Sequence, residues 1–237
     1  VLFAGWYNQN VSAHKKPGYA IVTICLKQTG TAPGDISSDQ MNFVADLADN
    51  FSFGELRVSH EQNIILADVE KSTLYALWRS LKTQKLHSDN RGLLTDIICC
   101  PGGDFCSLAN AKSIPIAESI QRRFGDASRL REIGALSLNI SGCMNACGHH
   151  HVGNIGILGV DKKGSEFYQI SLGGSVDNHT ALGEIVGPSF AQEEVPEVIE
   201  KIVDVYMKNR QSGERLVDTF NRVGMEPFKE EIYAKAD

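Results

Sequence analysis

The chain has 237 residues, of which 42% are hydrophobic, and its formal net charge is −6 at pH 7 with a pI near 5.7. A chain of this kind buries one large core or two smaller ones, but it lacks the basic face expected of a nucleic-acid-binding protein. No apolar run approaches the ~20 residues that a membrane-spanning helix needs, so we expect neither nucleic acid nor a membrane as a partner.

The first predicted unit covers residues 1–90 and has the element order β-α-β-β-α. A run rich in β-branched residues at 18–27 indicates the first strand, and Ser37 or Ser38 caps a helix whose apolar residues recur at helical spacing. Two short strands at 56–60 and 64–69 and a second helix at 74–81 complete the pattern. This order predicts a ferredoxin-like unit of the α+β class.

The second predicted unit covers residues 91–237. Strands are expected at 93–98, 135–140, 155–160 and 167–172, and helices after Cys106, Glu193 and Glu214. Lys162, Lys163 and Gly164 separate two apolar runs and indicate a hairpin. The predicted fold is therefore α+β, with the ferredoxin-like N-terminal unit followed by a mixed-sheet α/β domain.

Four of the six cysteines form two pairs at the predicted junctions of strands and loops. Cys100 and Cys106 lie in C-P-G-G-D-F-C, and Cys143 and Cys147 lie in S-G-C-M-N-A-C-G-H-H-H. Together the pairs provide four thiolates, which is the ligand set of a [4Fe-4S] cluster. Neither pair closes such a site alone, so we expect the cluster to hold two loops of the folded chain together.

Three other interpretations of these cysteines remain open. Structural zinc fits the spacing C-x3-C of the second pair, but C-x5-C is wide for a zinc knuckle. A disulfide framework suits smaller secreted chains, and no secretory leader is visible here. Buried core thiols are the third alternative, although the neighbouring glycines shape turns rather than fill cores. Because iron-binding thiols must stay reduced, we expect a cytoplasmic protein.

The spacing C-x5-C followed by S-G-C-x-N-x-C-G-H-H-H resembles the siroheme and iron–sulfur motif of the nitrite and sulfite reductase hemoproteins. Further similar stretches cover most of the chain: G-E-L-R-V-S-H-E-Q-N at 54–63, N-I-G-I-L-G-V at 154–160, L-G-G at 172–174 and G-E-R-L-V-D-T-F-N-R-V-G at 213–224. The motifs look closest to the bacterial assimilatory sulfite reductases. The resemblance implies siroheme and a [4Fe-4S] cluster as cofactors, and the six-electron reduction of sulfite to sulfide.

The resemblance also implies which residues meet the cofactors. Cys100, Cys106, Cys143 and Cys147 would be the cluster ligands, and Cys147 would share its sulfur with the siroheme iron. Gln62, Asn63 and Asn145 would contact the macrocycle. For these three amide side chains a bond to the local backbone is the alternative, because Asn and Gln in turns often make one.

The complete enzymes of this family consist of two similar halves, and no internal repeat is visible here. The chain resembles the C-terminal half alone, so we expect it to be inactive by itself. The implied partners are the preceding half of the same polypeptide, which holds most of the basic residues that bind sulfite, and a ferredoxin or a flavoprotein as electron donor. A nitrite reductase of the same family remains an alternative, as does a [4Fe-4S] electron-transfer module without substrate chemistry.

Three consecutive histidines, His149, His150 and His151, also suggest a metal site. In an extended segment, however, neighbouring side chains point to opposite faces, so the three imidazoles do not easily bind one ion. We expect a mixed role, in which one or two of them lie against cofactor carboxylates or backbone and the remainder packs in the protein.

Overall fold

The computed structural model describes residues 2–177 and 179–234, which separate into two units, Val1–Gly92 and Leu93–Asp237. Each unit has its own cluster of buried hydrophobic residues. Among the described helices, none combines the length and the apolar character that a membrane span requires.

The first unit is a four-stranded antiparallel sheet with helices packed against it, in the strand order β1-β2-β4-β3. Its elements are α1 (Phe3–Asn10), β1 (Val11–Ala13), β2 (Tyr19–Ile24), α2 (Ser38–Phe51), β3 (Arg57–Val58), β4 (Ile64–Glu70) and α3 (Leu74–Thr83). The predicted ferredoxin-like class is confirmed. The sequence prediction did not include α1 and β1, which precede the first predicted strand.

Local sequence explains where the first long helix begins and which face it buries. The Ser37 hydroxyl accepts a hydrogen bond from the backbone N–H of Gln40, and the Gln40 side chain accepts one from the N–H of Ser37. This reciprocal cap satisfies two N–H groups that a helix start otherwise leaves without partners. Val44, Leu47 and Ala48 then form the buried face of α2 in the core of the unit.

The second unit contains a five-stranded mixed sheet in the order β5-β6-β7-β8-β9. Its elements are β5 (Ile98–Cys99), α4 (Ile114–Arg123), α5 (Ala127–Ile133), β6 (Leu138–Ser141), β7 (Ile155–Lys162), β8 (Ser165–Leu172), β9 (Glu184–Ile185), α6 (Val195–Asn209), α7 (Leu216–Val223) and α8 (Glu226–Tyr233). Strands β5, β6 and β7 are parallel, whereas β8 and β9 continue the sheet in antiparallel pairing. The predicted mixed sheet is confirmed.

The hairpin between β7 and β8 follows the sequence prediction. Lys162 pairs with Ser165, and the two residues between them, Lys163 and Gly164, both have positive φ values, +57° and +84°. Positive φ at both central positions is the requirement of a type I′ turn, whose twist matches that of the two strands.

The predicted strand at 93–98 is wrong over most of its length. Leu93 makes only an isolated bridge to Ala135, and the N–H of Asp96 donates to the carbonyl of Leu93 at 2.8 Å, which closes a turn. Regular pairing begins only at Ile98. The apolar side chains of this run, among them Leu94 and Ile97, are buried all the same. A short apolar run therefore identified core residues correctly but not their backbone conformation.

An ionic cluster joins the helices α4, α5 and α6 on the surface of the second unit. The carboxylate of Glu200 accepts hydrogen bonds from Arg129 Nη1 at 2.8 Å and from Arg123 Nε at 2.6 Å. The hydrogen bond from Arg129, together with that from Arg123, lowers the pKa of Glu200 below its ordinary value. Folding therefore favours the ionised carboxylate.

We predict that Glu200→Gln lowers the free energy of unfolding by about 1 kcal/mol at neutral pH, because a partly buried carboxylate with two arginine partners is lost. A lowered pKa in the folded state stabilises the protein above the ordinary glutamate pKa of 4.5, and this stabilisation disappears as the pH falls through the folded value. The difference between variant and parent should therefore vanish in acid. Urea denaturation at neutral and at acidic pH measures this difference in the free energy of unfolding. The control is Glu197→Gln on the same helix. Equal effects of the two substitutions at neutral pH would contradict the prediction.

Candidate functional site

The two cysteine pairs lie at one edge of the sheet in the second unit. Cys100 directly follows β5, and Cys143 comes two residues after the end of β6. Because β5 and β6 are parallel neighbours, their carboxyl ends meet at the same edge. The loops that carry Cys106 and Cys147 therefore start from adjacent points of a rigid sheet.

The loops meet through two glycines, Gly102 and Gly142. A Cβ on Gly142 would lie 2.9 Å from the Cα of Gly102 and 2.7 Å from the carbonyl oxygen of Ala111, closer than real side chains approach. Gly102 has φ +59°, and a Cβ there would lie 2.4 Å from the backbone nitrogen of Ser113. Only glycine permits this contact, which presses the backbones of the two loops together.

Backbone hydrogen bonds hold the loops in this position. The carbonyl of Gly142 accepts from the N–H groups of Asn110 at 2.8 Å and Ala111 at 3.1 Å. The N–H of Gly142 donates to Cys100 Sγ at 3.1 Å, so the loop of the second pair contacts a thiol of the first. This bond is the kind of support that stabilises negative charge on a ligand sulfur.

All four cysteines of the pairs are free thiols. Cys100 and Cys143 are buried, Cys106 is half-buried, and Cys147 is exposed. Within residues 2–177 and 179–234, no group of three or more His, Cys, Asp or Glu side chains converges closely enough to hold a metal ion. A [4Fe-4S] cluster sets a different requirement, because each thiolate binds a different iron atom. Four free thiols on two adjoining loops suit that donor set.

The three histidines divide between the interior and the surface. His149 and His151 are exposed, whereas only 4% of the surface of His150 is exposed. Burial, and then the nearby His151, lower the pKa of His150 to about 4, so its imidazole is neutral at physiological pH. The rings of His150 and His151 lie 3.9 Å apart. His150 is therefore a packed residue. The expected contact of the other histidines with cofactor carboxylates or backbone stays a prediction.

Glycines of the downstream motifs pack directly against the backbone of the histidine turn, residues 149–151. A Cβ on Gly156 would lie 2.1 Å from the carbonyl oxygen of His150, and one on Gly174 would lie 2.8 Å from that of His151. The N–H of Gly183 donates to the carbonyl of His151 at 2.7 Å. The stretches N-I-G-I-L-G-V and L-G-G thus position the segment directly after Cys147.

The three amide side chains expected to meet siroheme differ in their surroundings. Asn145 is exposed between Cys143 and Cys147 in the second unit. Gln62, in the first unit, is half-buried and has φ +59°, at the tip of a tight turn. Both residues are therefore at least partly exposed to solvent.

Asn63 has an internal role that differs from the local backbone bond considered as the alternative, because its partners lie more than thirty positions away in the chain. Its side chain is 1% exposed, and its Oδ1 accepts hydrogen bonds from the backbone N–H of Leu26 at 2.9 Å and from Lys27 Nζ at 3.3 Å. Lys27 Nζ also donates to the carbonyl of Glu61 at 2.6 Å. Asn63 and the buried Lys27 together fix the turn that carries Gln62.

Two residues that contact predicted site residues were not identified from the sequence: Lys27, which bonds Asn63 in the first unit, and Ser113, which lies beside Cys100 in the second. Lys27 ends an apolar run and carries no signal that its side chain turns inward. Ser113 lies next to Cys100, although thirteen positions separate the two in the chain. Both relations arise only when distant segments fold together.

We predict that Asn63→Ala lowers the free energy of unfolding by about 2–3 kcal/mol, because the N–H of Leu26 loses its acceptor and the buried ammonium of Lys27 loses one of its partners. The matched control is Asn50→Ala, which removes an exposed amide that bonds only within its own helix. Urea denaturation of the two variants measures the difference. A loss at Asn63 no larger than that at Asn50 would show that the buried bonds contribute little.

Comparison with known proteins identifies both units. Residues 13–84 match the nitrite/sulfite reductase ferredoxin-like half domain, and residues 92–237 match the nitrite and sulphite reductase 4Fe-4S domain. The solved structure of the Mycobacterium tuberculosis NirA protein shares the fold, with a TM-score of 0.75 and 24% identity over 92% of this chain and 41% of that one.

Two curated relatives carry names of different activities. A chloroplastic ferredoxin–nitrite reductase of Betula pendula is 29% identical over 74% of this chain and 30% of its own length. The sulfite reductase [ferredoxin] 2 of Mycolicibacterium paratuberculosis is 28% identical over 80% of this chain and 36% of its own length. The chain therefore spans about a third of the length of each relative.

These matches agree with both expected cofactors, siroheme and a [4Fe-4S] cluster. The family model for the second unit alone covers more than half of the chain. The protein belongs to the nitrite and sulfite reductase family, and its two units are the ferredoxin-like half domain and the 4Fe-4S domain of that family.

Proposed function

We propose that the chain is part of a siroheme-dependent assimilatory sulfite reductase, in which it supplies the four thiolates of the [4Fe-4S] cluster and part of the siroheme pocket. The observation that carries the proposal is the Gly102–Gly142 contact, which joins the loops of the two cysteine pairs at one sheet edge. Four free thiols on these loops suit a cluster whose irons each need one sulfur.

Each of the cysteines has a distinct place in this proposal. Cys100 and Cys143 are the buried ligands, and Cys106 closes the first loop. Cys147 is the exposed member of the set and would be the cysteine that serves both cofactors. When bound, the two cofactors supply electrons to the substrate anion one at a time.

The polar residues around the cofactors have supporting roles. Gln62, which is half-buried, and Asn145, which is exposed, would contact the macrocycle. Asn63 acts through the turn that it shares with Lys27, since its own carboxamide oxygen is already used inside the unit. The N–H of Gly142 helps to hold the thiolate of Cys100.

The acidic net charge of this chain and the names of its relatives bear on how the substrate is bound and which protein donates electrons. A chain with net charge −6 is poorly suited to bind sulfite by itself, so the preceding part of the polypeptide supplies the basic residues around the anion. Ferredoxin is the favoured electron donor over a flavoprotein, because both curated relatives bear it in their names. The cytoplasm, where thiols stay reduced, is the proposed location.

Nitrite reduction is the second candidate function. The birch relative is named as a nitrite reductase and the mycobacterial relative as a sulfite reductase, at nearly equal identity to this chain. The motifs look closest to those of the bacterial assimilatory sulfite reductases, and this resemblance favours sulfite as the substrate. Steady-state turnover of the full-length polypeptide with each anion separates the two, and a higher kcat/KM for nitrite would replace the proposal by its alternative.

The cofactor content of the full-length polypeptide tests the proposal. Anaerobically purified protein should show siroheme bands and about four irons and four acid-labile sulfides besides the siroheme iron. A cluster without siroheme would instead indicate an electron-transfer module. Zinc without iron would indicate a zinc-stabilised domain and would remove the reductase assignment.

Substitution of one ligand provides a sharper test of the site. We predict that Cys106→Ser abolishes the cluster absorption and lowers the iron content of the full-length protein, because a hydroxyl group is a far weaker ligand of iron than a thiolate. The control is Cys25→Ala, which removes a buried thiol from the first unit. The metal-free forms of both proteins should keep their helical circular dichroism. Full cluster content in Cys106→Ser would exclude Cys106 as a ligand.

A further inference from the structure

Ser113 occupies a helix start but does not cap the helix. It is the residue immediately before α4, where serine commonly accepts a hydrogen bond from the second or third N–H of the helix. Its side chain makes no such bond, and its backbone is in the αR region, with φ −107° and ψ −38°. The residue is fully buried. Its hydroxyl is therefore used elsewhere.

The hydroxyl lies against the sulfur of Cys100. Ser113 Oγ is 3.5 Å from Cys100 Sγ, within the range of a hydrogen bond to sulfur. The space around it depends on the two glycines of the loop contact: a Cβ would lie 2.6 Å from Ser113 Oγ if placed on Gly102, and 3.1 Å if placed on Gly142. The hydroxyl thus fills a slot that the glycines leave open beside the sulfur.

Two further features favour negative charge on this sulfur. The N–H of Gly142 donates to Cys100 Sγ at 3.1 Å. The N-terminal end of α4, a helix of ten residues, lies at Ser113 and carries the positive end of the helix dipole. The Gly142 N–H and the Ser113 hydroxyl are thus both within hydrogen-bond distance of Cys100 Sγ.

The state of Cys100 decides the direction of the hydrogen bond. In the free thiol either atom can be the donor. A ligand thiolate has no proton, so Ser113 must donate when Cys100 binds iron. A reduced cluster carries one more negative charge than an oxidised one, and a donor to its ligand sulfur stabilises the reduced form more.

We propose that Ser113 is a positioning residue for Cys100, and that its hydroxyl raises the reduction potential of the [4Fe-4S] cluster by donating a hydrogen bond to the Cys100 thiolate. This proposal rests on the proposed function, because it requires Cys100 to be a cluster ligand. Ser113 lies outside both cysteine motifs, and its proposed role is to make the cluster easier for the electron donor to reduce.

The test is an EPR-monitored redox titration of the full-length enzyme and its Ser113→Ala variant. We expect the midpoint potential of the variant to shift to more negative values while its iron and sulfide content stays that of the parent. The Fe–S(Cys) stretching bands in resonance Raman spectra should shift upward, because a thiolate that loses a hydrogen bond binds iron more strongly. The control is Ser119→Ala on the same helix, whose hydroxyl donates to the carbonyl of Ile116 and not to sulfur.

Three outcomes would overturn the proposal, and they differ in what they reject. Equal potentials for Ser113→Ala, Ser119→Ala and the parent, all with intact clusters, would reject the role of Ser113 alone. Loss of the cluster from Ser113→Ala only would show that the hydroxyl is required for assembly rather than for tuning. A parent protein without a cluster would reject the proposed function, and with it this role.

Discussion

The candidate site depends on the close backbone contact between Gly102 and Gly142. The two glycines belong to loops that leave adjacent parallel strands, and any side chain at Gly142 would meet backbone atoms less than 3 Å away. Because backbone atoms yield little, a larger residue would force the loops apart. The bond from Gly142 to Cys100 and the space for the Ser113 hydroxyl both depend on this one contact.

The protein itself orders part of the two cysteine loops around this contact. The carbonyl and the N–H of Gly142 are both hydrogen-bonded, and Cys100 and Cys143 are buried. Those parts of the loops are ordered by protein contacts, so little conformational entropy remains to be lost there when a cluster binds. Cys106 and Cys147 are the more accessible of the four proposed ligands. In the proposed site, the buried pair would define the position of the cluster and the accessible pair would complete its coordination.

Sequence reasoning succeeded where the signal was local and failed where it was not. Helices α2 and α6 and the hairpin at Lys163 and Gly164 were predictable, because periodicity, capping and turn residues act over a few positions. Strand β5 and strand β9 have two residues each, and their existence depends on neighbours far along the chain. The cysteine pairs were evident from spacing. The inward turn of Asn63 and the bond of Ser113 to sulfur were not, since each joins segments more than ten positions apart.

Glycine also explains why the motifs of this family extend well beyond the cysteines. A Cβ on Gly148 would lie 1.9 Å from the carbonyl oxygen of Ile140, and one on Gly156 would lie 2.1 Å from that of His150. A Cβ on Gly174 would lie 2.3 Å from the carbonyl oxygen of Gly153. These positions bear no chemistry of their own. They let strands and turns pack at backbone distance, which fixes the direction of the chain after Cys147. These glycines therefore belong to a framework that holds the four proposed cysteine ligands and the polar groups beside them.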